Sequence, residues 1–135
     1  MKIMSCDKYT NKIIDEINEI SDGLFDNITN LDQYALSTSK QVLKILIQYA
    51  CLGQNCGPIE LGRKKIGEII NREWLIQHFM EVADESINYF DEWEYRRLVE
   101  LVYIYIPELK EKVLTRGINS VNEEIREVVE DFRDK

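Results

Sequence analysis

Only two prolines, Pro58 and Pro107, and six glycines punctuate 135 residues. A many-stranded β domain needs frequent turns, so this scarcity argues for long helices instead. Cysteine occurs three times, at Cys6, Cys51 and Cys56. An odd number with no spacing framework argues against a disulfide scaffold. Cys51 and Cys56 enclose four residues in CLGQNC, but there is no second pair to complete a zinc site. No apolar run approaches the ~18 residues of a membrane span. The opening MKIMSCDKYTNKIIDEI turns charged too early for a secretory signal peptide. The expected compartment is therefore the cytoplasm, with no membrane partner.

Histidine is rarer still, with His78 alone. It stands three residues before Glu81, with Glu85 one turn further on. Carboxylate-bridged metal sites use Glu and His at that spacing, but they need a second such motif on another helix. Nucleophilic chemistry could work with one histidine, yet no serine sits on a nucleophile elbow. The acids fall on the outsides of expected helices, where water keeps them ionised. No catalytic residue, metal or cofactor is assigned.

Acid is what the chain has in excess. There are 25 acidic and 17 basic residues, a net charge of −8. Met1–Met80 is nearly neutral, with ten acidic and nine basic residues, whereas Glu81–Lys135 has fifteen and eight. Such a balance disfavours nucleic acid, whose phosphates need a basic surface. It disfavours anionic membranes too. It suits a basic protein partner drawn in by long-range attraction, or solubility alone.

Helical periodicity runs through most of the chain. Tyr9, Ile13, Ile17, Ile20 and Leu24 fall at steps of four, four, three and four, one face of a helix ending near Asp22-Gly23. FDNITN is expected to be a loop. A second helix lies within Leu31–Leu52, capped at Ser37 or Ser39. Its VLKILIQYACL is apolar on nearly every side, which marks a central helix. GQNCGPIELG, Gly53–Gly62, reads as the joint of the domain, with Pro58 able to open a short helix. That helix would turn Leu61, Ile66, Ile69 and Ile70 inward and Arg63, Lys64 and Lys65 outward. Asn71, Asp91 and Ser120 or Asn122 can cap three further helices. Pro107 divides the middle one from a short helix that Gly117 stops, with Leu109, Val113 and Leu114 inward. The last helix would bury Val121, Ile125, Val128, Val129 and Phe132.

REWLIQHFMEVA from Arg72 echoes DEWEYRRLVELV from Asp91 at an offset of nineteen residues. Such offsets arise when helices of one length stack in an array. Trp74 and Trp93 hold matching places near the two helix starts. A large ring there packs over the core or anchors an interface, and Tyr89, Tyr95, Tyr103 and Tyr105 share both readings. SVNEEIREVVEDF, Ser120–Phe132, resembles the opening of a HEAT-type repeat helix at Asn122, Ile125, Arg126 and Val128-Val129, departing where that family favours Asp and alanines. More broadly, the chain resembles small, acidic, all-helical cytosolic proteins of low-GC bacteria, some of which serve as immunity proteins that block a secreted toxin.

The expected fold is thus one all-α domain of six or seven helices, a right-handed HEAT-like array or an irregular bundle. It would comprise N-terminal helices over 1–52, a loop over 53–62 and a more regular array over 63–135. The expected function is protein binding without catalysis. An acidic surface of Glu92, Glu94, Glu123, Glu124, Glu127, Glu130 and Asp131 would supply charge, and Tyr95 and Arg96 contact area, toward a basic partner such as a toxin. Two other classes remain open. One is a small helical enzyme or ligand-binding protein with a pocket near His78 and Gly53–Gly62. The other is a structural subunit whose Trp93 and tyrosines meet in a symmetric contact.

Overall fold

In the computed structural model, the helix that is apolar all round becomes the axis of the molecule. The structure describes the backbone of residues 4–52 and 56–134, and side chains over 10–51 and 57–134. Gly53–Asn55 and the side chains of Cys6, Tyr9 and Cys56 lie outside the described residues. Among the described residues every regular element is helical. The α-helices are α1 (Met4–Ile20), α2 (Leu36–Leu52), α3 (Cys56–Gly67), α4 (Arg72–Ser86), α5 (Glu92–Tyr105), α6 (Lys110–Thr115) and α7 (Glu123–Arg133). Short 3₁₀ segments cover Leu24–Gln33 and Pro107–Leu109. The chain is a single-domain all-α bundle of irregular form. No helix among the described residues is long and apolar enough to cross a membrane.

α2 packs against α1, α3, α4 and α5. Its Val42, Leu43, Leu46, Ile47 and Ala50 have no exposed surface. Burying one aliphatic side chain of this size contributes about 1.5–3 kcal/mol, so covering α2 from four sides is the main drive to assembly. α5 is the second hub. It buries Leu98, Val99, Leu101 and Val102 and touches α2, α3, α6 and α7. The nineteen-residue echo survives as burial: Phe79, Met80, Val82 and Ala83 of α4 match Leu98, Val99, Leu101 and Val102 of α5, all of them in the core. The two helices nevertheless both pack on α2.

Several local expectations are corrected. FDNITN is not an open loop but part of two 3₁₀ turns kinked at Asn27 and Asn30, with Leu24, Phe25, Ile28 and Leu31 inward. Ser39 does not cap α2, which starts earlier at Leu36. It is instead buried, and its hydroxyl donates to the carbonyl of Leu31 at 2.7 Å, pinning the preceding turn to the helix. The joint expected over Gly53–Gly62 is already helix from Cys56. There Gly62 sits against α2, where a Cβ would come 2.9 Å from the Leu46 carbonyl oxygen. A glycine that reads as a loop signal therefore serves close helix packing. Ile70, expected inward, is 70% exposed, and Arg63, expected outward, has only 16% of its side chain exposed, paired with Glu100 at 2.7 Å. Val121 is 85% exposed because it precedes the cap of α7 and lies outside the helix whose face it was assigned to.

The caps at Asn71, Asp91 and Asn122 are where the sequence puts them. Their side chains accept from Trp74 N, from Trp93 N and Glu94 N, and from Glu124 N. α6 ends just before Gly117 as expected, but without a left-handed φ, which among the described glycines occurs at Gly23. At Gly117 a Cβ would lie 2.6 Å from the ring of Tyr95. Tyr95 fills that space fully buried and donates its hydroxyl to the Val113 carbonyl at 2.7 Å. Gly117→Ala should therefore destabilise the fold by about 1–3 kcal/mol through overpacking, read from urea unfolding. Stability within a few tenths of wild type would show that the ring has room to move.

Candidate functional site

Five of the nine expected site residues, Glu92, Glu94, Tyr95, Arg96 and Asp131, serve the fold itself, by the geometry of α5 and its bridge to α7. Tyr95, expected to give outer contact area, is in the core: it lies one turn before Leu98 and Val99 and shares their face. Glu94 accepts the backbone N–H of Asn88 at 2.8 Å and holds the turn before α5. Arg96 reaches across to α7, 3.0 Å from Asp131, and also pairs with Glu92 at 3.4 Å. Arg96 and Asp131 are thus one bridge between α5 and α7.

The rest lie on the outer side of α7. Glu123, Glu124, Glu127 and Glu130 are all exposed. Glu130 pairs with Arg133 at 3.2 Å. Glu123, Glu124 and Glu127 enter no ion pair among the described residues. The nearby Arg126 donates to the Ser120 carbonyl at 2.6 Å and keeps its positive charge, so the patch is net negative but not of one sign. Ile118, Glu123, Arg126, Glu127 and Glu130 help to line an open groove of about 270 Å³.

Sequence reasoning missed the apolar side chains beside these carboxylates. Trp93, expected to pack over the core or to anchor an interface, is 62% exposed and so not in the core, with Phe90 at 64% and Val121 at 85%. The helical wheel holds the missing signal. Trp93 stands two positions before Tyr95, roughly 200° around the helix from the buried face. Its match to Trp74 hid this, for Trp74 packs against the core and lies 5.1 Å from the His78 ring.

His78 has 13% of its side chain exposed, and its Nδ1 lies 4.0 Å from Glu81 with no hydrogen-bond partner among the described residues. It lines neither the α7 groove nor a second open groove of about 320 Å³ between α1 and α2, at Glu16, Glu19, Ile20, Gln41 and Ile45. Among the described residues no three of His, Cys, Asp and Glu converge as a metal site would require. Cys51 is buried in the core. Desolvation pushes its thiol up to about 12, against the opposing pull of Arg63 and Arg97. A thiolate is the reactive form, so a maleimide at pH 8 should leave Cys51 unmodified in the native protein. Peptide mapping that finds it labelled as fast as in urea would contradict this.

A partly exposed network links α4, the turn before α5 and the end of α6. Arg116 clamps both oxygens of Asp84 at 2.9 Å, and Tyr89 donates to the same carboxylate at 2.5 Å. Burial works to raise the pKa of Asp84, but the Arg116 and Tyr89 hydrogen bonds outweigh it and hold the carboxyl below its ordinary value. Desolvation and the bond to Asp84 push the Tyr89 phenol upward. A depressed carboxyl stabilises the fold above the unfolded value, near 3.9, and loses that contribution as pH falls through the folded value. Wild type should thus melt higher than Asp84→Asn at pH 7, with the difference shrinking below about pH 4. A difference that stays constant down to pH 2 would contradict the network.

No protein-family model, curated protein or solved structure matches the chain.

Proposed function

We propose that this protein is a non-catalytic binding module of the inhibitor or immunity type, cytoplasmic, whose acidic surface covers a basic partner protein such as a toxin. One observation carries the reading: Glu123, Glu124 and Glu127 stand exposed on a single helix and enter no ion pair among the described residues. Where the fold needs carboxylates it pairs them, as at Asp84, Glu100, Glu108 and Asp131. Three like charges at the start of α7, with Arg126 among them, give a net negative field, with some relief from the helix dipole. That field accelerates encounter with a cationic surface and repels anionic ones. The shared buried pattern of α4 and α5 supports a distant helical-repeat origin.

The test compares wild type with the triple variant Glu123→Lys, Glu124→Lys, Glu127→Lys, each immobilised and exposed to the proteins of the source cell. The positions are exposed, so the circular dichroism of the variant should be unchanged. Wild type is expected to retain basic proteins that added salt releases, and the variant to lose them. Identical proteins retained by both would refute the reading.

A further inference from the structure

The carboxylates of α7 do not stand alone. Asn122, the cap of α7, donates its side-chain amide to the Phe90 carbonyl at 2.9 Å. That bond ties the turn before α5 to the turn before α7. Phe90 and Val121 therefore lie close to this bond, and Trp93 stands three residues after Phe90 in the first turn of α5, each more than three-fifths exposed. Single exposed apolar residues are ordinary on a protein surface. Three large ones near two cross-linked helix starts, with three carboxylates that enter no ion pair among the described residues, form an apolar centre with an acidic border. Such a pattern is how protein-binding surfaces are built, with an aromatic anchor inside a polar rim.

We propose that this apolar centre is the anchoring part of the interface, and that its occupant is a cationic segment of a partner protein bearing an apolar side chain among lysines or arginines. The inference rests on the reading of the α7 surface as protein-binding and adds what that surface grips. Charge complementarity selects the occupant. A second copy docked on this patch by two-fold symmetry would bring two net-negative surfaces together, which repel. A cationic segment meets those carboxylates favourably, and its basic groups can also lie over the exposed Trp93 ring.

Two synthetic peptides of equal positive charge test this by calorimetric titration at low salt. One spaces Leu and Lys to form an amphipathic helix, and the other replaces each Leu by Ser. Wild type is expected to bind the Leu/Lys peptide at least about tenfold more tightly. Phe90→Ser with Trp93→Ser should erase that preference while leaving weak binding to both peptides and an unchanged circular dichroism spectrum. Equal affinity of wild type for the two peptides, lost on charge reversal of α7, would overturn the apolar centre and leave the acidic surface standing. No binding of either peptide would overturn both. Sedimentation of wild type as a dimer that Trp93→Ser dissolves would overturn the proposal in favour of a second copy.

Discussion

An apolar helix with no wet face cannot be stable until other elements cover it, and α2 imposes that demand on the whole chain. Four helices meet it from different directions, and each must offer α2 an apolar stripe while keeping its polar side outward. The consequences travel outward from this constraint. α5, held against α2 by one face, presents Tyr95 to α6 and Arg96 to α7. Tyr95 then requires the bare backbone of Gly117, and Arg96 fixes Asp131. By the time the chain reaches α7, its inner face is committed to Ile125, Val128 and Val129. Its outer face is the only place left for its remaining carboxylates.

The surface chemistry is a residue of that process in most places and departs from it in one. Ion pairs such as Lys40–Glu81, Arg63–Glu100, Arg72–Glu108 and Arg116–Asp84 each join two elements. Exposed pairs of this kind contribute little individually, about 0–1 kcal/mol, but they fix which helix lies beside which. At the start of α7 the pattern changes. Glu123, Glu124 and Glu127 enter no ion pair among the described residues, and Phe90, Trp93 and Val121 nearby are mostly exposed. The helix dipole favours Glu123 and Glu124 in the first turn of α7, but it gives no reason for the exposed apolar side chains, which is why binding is proposed there.

Periodicity and capping chemistry made the helical class and three of the helix starts legible in the sequence. Asn71, Asp91 and Asn122 are short polar residues just before apolar stripes, and a cap depends only on local backbone geometry. The central place of α2 was legible for the same reason, as its residues are apolar all round. What was hidden depends on contacts between segments distant in sequence. Gly62 and Gly117 look like breakers, but one admits Leu46 and Ala50 of α2 and the other the Tyr95 ring. Arg63 looks like a surface cation until Glu100 draws it in. Within the candidate site, the acids of α7 were found by charge alone. Tyr95 was misplaced because aromatic and arginine neighbours suggested recognition, and Trp93 because its echo of Trp74 outweighed its angle on the helix.

The most direct measurement of the central claim is a nitrogen–proton correlation spectrum of the labelled protein, recorded as a cationic Leu/Lys helical peptide is added. The account expects the shifts to concentrate at residues 90–93 and 118–127, with the amides around His78 and along α1 unmoved. Shifts centred on His78, or spread evenly over the acidic residues with Phe90 and Trp93 silent, would contradict it.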